Sequence, residues 1–355
     1  MKILYLAFKY DYGRPEKGLS FEHYNFYDSF LKMNGGENKI IYFPVDEMIH
    51  QGLDSEKIKS NFLKIINEEK PNFLFFWAGG GIITKEIIGE ISKRGEVVTL
   101  SWMPDDHWQF HKSSKQCPPH FNFIATTDSQ APAKYNKIGY KNIIKSQWAC
   151  NHFLYKPLSL PKIYDVTFVG AAHSNRKKIV QKIKAAGVNI KCWGSGWPAG
   201  RVSQDEMIRI FSQSKVNLNF TKSSGVLWKE LALIFLSRNF DRSIKLNSPK
   251  KWVNNLRAFF PSMRSRQVKG RIFEIPGCKG FLLTEYADNL EDYYQDEKDI
   301  VWFKNVKELI EKIEYYLNHE KEREAIAKAG YERTLEEHTY ENRFNEIFKI
   351  MDFKK

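Results

Sequence analysis

The sequence predicts an α/β protein made of two doubly wound, Rossmann-like domains. Strands alternate with helices, and most strands are nearly continuous apolar runs, the pattern of a parallel sheet covered on both faces. The alternation restarts near the middle of the chain. The chain has 355 residues, about twice a typical single domain, so two cores are expected.

The first half begins with the strand MKILYLAF, a polar glycine-containing loop and a helical run, SFEHYNFYDSFLKM. The strand NKIIYFPV, the helix SEKIKSNFLKIINEE, the strand PNFLFFWAGG, the helix TKEIIGEISKRG and the strand EVVTLSWM follow. HFNFIATTDSQ and NIIKSQWA supply two more strands. The opening MKILYLAFKYDYG lacks a long apolar region and a small-residue cleavage site, so it reads as a strand rather than a signal peptide. In the second half, YDVTFVGAAHSNRKKIVQKIKAAGVNIKCWGSG is a complete βαβ unit. SKVNLNFT is a strand, FEIPGCKG a helix and GFLLTE a strand, and periodic apolar residues in VKELIEKIEYYLNH and EREAIAKAGYERTLEE predict a helical end. The proline-bearing NHFLYKPLSLPKIYD reads as the connection. This gives an N-terminal domain over 1–155, a second over 156–335 and a terminal helix, 336–355, packing back on the first. A cleft is expected between the domains, because ligands bind beyond the carboxyl ends of such strands.

Hydrophobic residues are 42% and aromatic residues 15% of the chain, which excludes a globally disordered protein. No apolar run approaches the roughly 20 residues a membrane span needs. Cys117, Cys150, Cys192 and Cys278 form no CxxC pair and have no histidine at metal spacing, so reduced thiols, a cytoplasmic setting and no metal site are expected. The formal charge is +13. Its densest source is Lys222 to Arg271, where the acids are Glu230 and Asp241. Such a face suits anionic partners such as nucleic acid, lipid headgroups, acidic glycans or phosphorylated small molecules, or serves as a solubilising surface.

The order of features resembles the GT-B glycosyltransferases, closest to the CgeB-like (spore maturation protein) branch of group 1. The tract KGRIFEIPGCKGFLLTE, continuing to HTYENRF, resembles the family's C-terminal module: acidic position, small-residue turn, strand and two helices. DVTFVGAAHSNRKKIV is similar to the opening of the nucleotide-binding domain, and YDYGRPEKGLSFEHYNF to the glycine loop after the first strand. Of the ESFGxxxxE signature, Glu274 matches the second glutamate, while Arg266 stands at the first. The resemblance implies two domains facing a cleft and transfer of a sugar from a nucleoside-diphosphate donor, UDP favoured. It implies no further cofactor and a glycan, protein or other anionic acceptor.

The residues fit this chemistry. A helix N-terminus binds phosphate through unpaired N–H groups and the macrodipole. Gly270 admits a phosphate to the backbone, Lys269 and Arg271 add charged hydrogen bonds, and Glu274 one turn on accepts ribose hydroxyls. Gly170, His173 and Arg176 form a second anion-binding set, since a cation in a first helical turn opposes the dipole; Ser174 or Asn175 caps that helix. These cations replace a divalent metal, so metal-independent transfer is expected.

For the acceptor, SWMPDDHWQFH offers Asp106, Asp105 and His107 as candidate catalytic groups, with Trp102 as a sugar platform. Gly18 and Glu22 are further candidates. The alternative is a turn in which the aspartates bond to backbone. Residues 222–266 read as a basic insertion whose segment VLWKELALIFLSRNF is an amphipathic helix, with Trp228, Leu231, Ile234 and Phe235 on one side. A cover over the core is the preferred role; docking to an anionic acceptor, nucleic acid or a membrane surface is the alternative. Two rival functions stand beside the transferase: an inactive GT-B-fold protein gripping an anionic polymer, and a nucleotide-sugar epimerase.

Overall fold

The computed structural model describes residues 1–173, 175–222, 231–232, 234–238, 244–264 and 266–353. The chain divides into two compact units. Unit 1 comprises Met1–Gln147 and Tyr340–Lys355, and unit 2 comprises Trp148–Thr339. The expected divisions lay at residues 155 and 335.

Unit 1 is a six-stranded parallel sheet of β1 (Lys2–Leu6), β2 (Lys39–Phe43), β3 (Phe73–Phe76), β4 (Val98–Met103), β5 (Phe123–Thr126) and β6 (Ile143–Lys145). The spatial order is β2-β1-β3-β4-β5-β6. Order reverses between β1 and β3, so their carboxyl ends mark the crevice where ligands bind in such sheets. Ile3, Leu4, Tyr5 and Leu6 are all buried, as a strand covered on both faces requires. The helix Ser55–Glu69 starts where the Asp54 side chain accepts from Lys57 N at 2.7 Å. The run expected as one helix after β1 is continuously helical from Phe21 to Lys32, with a π-helical stretch, His23–Tyr27, before the α-helical Asp28–Lys32. The last helix, Tyr340–Ile350, completes the unit, with the Phe344 ring stacked on Phe30 at 4.0 Å.

Unit 2 contains β7 (Tyr164–Val169), β8 (Ile190–Trp193), β9 (Ser214–Asn219), a separate two-stranded ribbon of β10 (Leu236–Arg238) and β11 (Ile244–Leu246), then β12 (Leu282–Glu285) and β13 (Val301–Phe303). Its five-stranded parallel sheet runs β13-β12-β9-β7-β8, which puts the reversal between β7 and β9. The helix Gln204–Gln213, absent from the sequence reading, begins on a Ser203 side chain that accepts from Glu206 N.

One expected helix is corrected. Leu231, Ala232, Ile234 and Phe235 are helical, but Leu236–Arg238 is a strand paired antiparallel with Ile244–Leu246. Ile234 is buried and Phe235 exposed, so the two do not share one apolar face. Trp228 and Ser174 lie outside the described residues. A bridge between Lys222 and Arg266 makes the insertion leave and rejoin the unit at one place.

Candidate functional site

The reversal point of unit 2 is built around Arg176, the first residue of the helix Arg176–Ala185. Its Nη1 donates to the Ala171 carbonyl and its Nη2 to the Phe220 carbonyl, both at 3.0 Å. These carbonyls follow β7 and β9, so one guanidinium ties together the strand ends that flank the crevice. The rings of Phe168 and Phe220 lie 5.5 and 6.0 Å from it. Among the described residues no carboxylate reaches ion-pair distance, and Nε is buried with no hydrogen-bond partner. Burial lowers the Arg176 pKa to about 10, with only the more distant Glu285 opposing. A half-buried cation without a counter-ion is costly, and this one also opposes its own helix dipole. Exposed His173 lies 3.4 Å away, and burial and Arg176 both lower its pKa.

Gly170 does different work. Its carbonyl accepts from Trp197 Nε1 and its N–H donates to the Trp193 carbonyl, both at 2.8 Å. Gly194 has φ +126, and a Cβ there would stand 2.3 Å from the Gly170 oxygen. The glycines therefore let the loops after β7 and β8 touch.

The second set starts at Arg266. That residue pairs with Lys222, just past β9, and its carbonyl accepts from Asp288 N, just past β12. Lys269, Gly270 and Arg271 thus leave from the carboxyl-end side of the sheet, as Arg176 does. Lys269 is half-buried. Gly270 has φ −49 and ψ −38, ordinary helical values that any residue adopts. The short helix Arg271–Gly277 packs against β9. Within it, Arg271 Nη1 donates to Glu274 Oε2, so the cation expected to hold a phosphate is committed to Glu274 instead. Burial would lower the Arg271 pKa, but Glu274 and Tyr155 more than reverse this. Glu274 has no exposed surface, and its Oε1 has no hydrogen-bond partner. It is therefore not a solvated helix position. Tyr155, Cys150 and Cys278 surround it, and burial and then neighbouring groups raise all three pKa values. Gly277 is required here, since a Cβ would lie 2.3 Å from Cys150 Sγ.

Unit 1 redistributes the acceptor candidates. Trp102 is buried among Phe26, Phe75 and Phe344, with the Phe26 ring 5.0 Å away, so it is core and not a sugar platform. Asp106 has no exposed surface and its Oδ2 accepts from Tyr135 at 3.2 Å, which closes it to an acceptor hydroxyl. Burial raises its pKa to about 6 against hydrogen bonds from Ser114, Thr126 and Tyr135. Asp105 and His107 are half-buried at the start of the helix Asp106–Gln109, where the Asp105 carbonyl accepts from Trp108 N and Gln109 N. Gly18 sits at φ +79 and closes a loop by accepting from Asp11 N at 3.0 Å. Glu22 is half-buried beyond the carboxyl end of β1, and burial raises its pKa to about 7, reinforced by Asp11 and Asp46. Sequence reasoning missed Asp46, whose carboxylate accepts from Lys9 N and Tyr10 N, each at 2.9 Å. An acid right after the β2 strand was the available signal. Among the described residues no three His, Cys, Asp or Glu side chains cluster at metal-binding distance.

Two doubly wound units with these topologies define a GT-B fold, and known proteins agree. The chain superposes on a glycosyltransferase from Rickettsia africae ESF-5 with a TM-score of 0.58 at 11% identity, covering 99% of both chains. On Anabaena Alr3699/HepE, solved in complex with UDP-glucose, the TM-score is 0.57 at 9% identity, again over 99% of both chains. Residues 176–349 match the family described as glycosyl transferase-like. The fold is thus GT-B, and the second half of the chain is similar to the glycosyl transferase-like family. Among individual proteins it is similar to spore protein CgeB of Bacillus subtilis (strain 168), 20% identical over 289 residues, or 81% of this chain and 85% of that one. The expected CgeB-like resemblance is borne out.

Proposed function

We propose that this protein transfers a sugar from a nucleoside-diphosphate donor to an acceptor hydroxyl, without a divalent metal. The observation that carries this is Arg176, a cation with no carboxylate among the described residues at ion-pair distance, tying the strand ends at the reversal point of unit 2. A diphosphate supplies the missing counter-charge, with Lys269 adding to the field. Glu274 Oε1 lacks a donor, and a ribose hydroxyl is one; the carboxylate is enclosed, as Asp106 is, so a ribose reaches it only when the short helix Arg271–Gly277 shifts. In this reading Arg271 orients the Glu274 carboxylate rather than touching phosphate. The relatives support UDP as the nucleotide, since Alr3699/HepE was solved with UDP-glucose. The deciding assay is release of nucleoside diphosphate across a panel of nucleotide sugars, with and without chelator. Turnover of at least one donor, unaffected by EDTA, is expected. No release from any donor would leave an inactive binder, and activity restored only by magnesium or manganese would remove the metal-free mechanism.

With Asp106 enclosed, Glu22 is the acid suited to receive the acceptor proton, because a base near neutral pH works best. Its raised pKa has a thermodynamic signature. The folded state holds the proton more tightly than the unfolded chain, whose value is near 4.5. The resulting stability is fully present below that value and lost as pH rises through about 7. Glu22→Gln is therefore expected to melt higher than the parent above neutral pH and to show no such gain in acid. Turnover of the parent rises through about pH 7, and the variant loses that limb. Identical melting curves and rates at every pH would remove Glu22 from this role.

A further inference from the structure

The insertion carries features that a cover over the core does not need. Leu236 pairs with Leu246 and Arg238 with Ile244, so Leu236, Ile244 and Leu246 project from one face of the β10–β11 ribbon. That ribbon joins neither large sheet. The three side chains are 36% to 70% exposed. The helix Pro249–Arg264 follows directly. It is held to the segment before the ribbon by Asn255 Nδ2, which donates to the Ile234 carbonyl at 3.0 Å, and by Trp252, whose ring lies 5.5 Å from Phe235. Val253 and Leu256, on another side of this helix, are exposed. Lys250, Val253 and Arg257 fall at helical spacing on one face, so cations flank the apolar pair. Lys245, Lys250, Lys251 and Arg257 are all exposed, and no Asp or Glu occurs from 244 to 264.

We propose that this ribbon and helix dock on an anionic lipid bilayer surface. Exposed aliphatic side chains among like cations match the interface between acyl chains and negative headgroups. Nucleic acid would use the cations but has little use for Ile244, Leu246, Val253 and Leu256. A second copy would bring two cationic faces together. Among the described residues no helix is long and apolar enough to cross a membrane, so the contact is with the surface. Such docking delivers the enzyme to lipid-linked or membrane-proximal acceptors.

The test is co-sedimentation of the full chain with vesicles of phosphatidylcholine alone and of phosphatidylcholine mixed with phosphatidylglycerol. Binding to the anionic vesicles only, weakening with salt, is expected. Replacing Lys250, Lys251 and Arg257 by Gln should cost about fivefold per cation, on the order of a hundredfold together. Ile244→Ser with Leu246→Ser should weaken binding to the same vesicles with every charge in place. Both variants alter exposed side chains, and unchanged melting curves verify that they fold. Three results would overturn the proposal: no vesicle binding by the parent; a serine variant that binds vesicles as well as the parent while both retain poly(U); or a parent dimer that the serine variant loses. The assay contains no nucleotide sugar, so its outcome is independent of the transferase reading.

Discussion

Alanine in place of Glu274 is expected to weaken nucleotide binding by at least about tenfold, since a hydrogen bond to a charged acceptor contributes about 1.5–3 kcal/mol. It should also destabilise unit 2. Removing one member of a buried ion pair costs about 3–5 kcal/mol when the survivor is wholly enclosed. The Arg271 side chain is 31% exposed, so about 2–3 kcal/mol is the expected loss here. The double variant Glu274→Ala, Arg271→Met separates the two effects, because removing both charges relieves the unpaired guanidinium. Urea melts should show much of the stability restored. Calorimetry with UDP, GDP and ADP should show that affinity is not. A stable double variant that binds nucleotide like the parent would remove both residues from the donor site.

The second large effect belongs to Arg176. Arg176→Met keeps an unbranched, shorter apolar side chain beside Phe168 and Phe220 but removes the guanidinium that faces their rings, and with it the charge. Two charged hydrogen bonds to carbonyls are lost, while the cost of a half-buried cation with no counter-ion among the described residues is relieved. These oppose each other, so the melting temperature without ligand should move little. The rise in melting temperature on adding UDP reports binding to the native state, and it should largely disappear. A large loss of stability with the UDP-induced rise intact would make Arg176 a structural tie and nothing more.

Sequence pattern was enough for the architecture because parallel strands buried on both faces leave unbroken apolar runs, as in KILYL and VTLSWM. The same rule identifies Trp102 as core: it lies inside VTLSWM, where side chains of both faces are covered. Reading it as a sugar platform gave too much weight to its aspartate neighbours. Asp106 shows the reverse difficulty, since only the fold reveals that Tyr135 approaches it. The Arg271–Glu274 pair was visible as i, i+3 spacing, yet spacing does not say whether a cation faces its own helix or a ligand. Arg176 was singled out from its place in the first turn. Its Ala171 partner is local, but Phe220 lies 44 residues on, and only coordinates show that no carboxylate among the described residues reaches it. The strand Leu236–Arg238 was misread as helix because its short apolar run suits helix or strand equally.

The return of the chain to unit 1 has a consequence for biosynthesis. Residues 340–350 are translated after all of 1–339, yet Phe344 stacks on Phe30 and stands near Phe75 and Trp102. Residues 148–339 are contiguous and can fold as soon as they have left the ribosome. The first 147 residues emerge earlier but wait the longest for their final partner. Throughout that interval an aromatic face remains open to chaperones and to other nascent chains, and the emergence of residues 340–350 closes it.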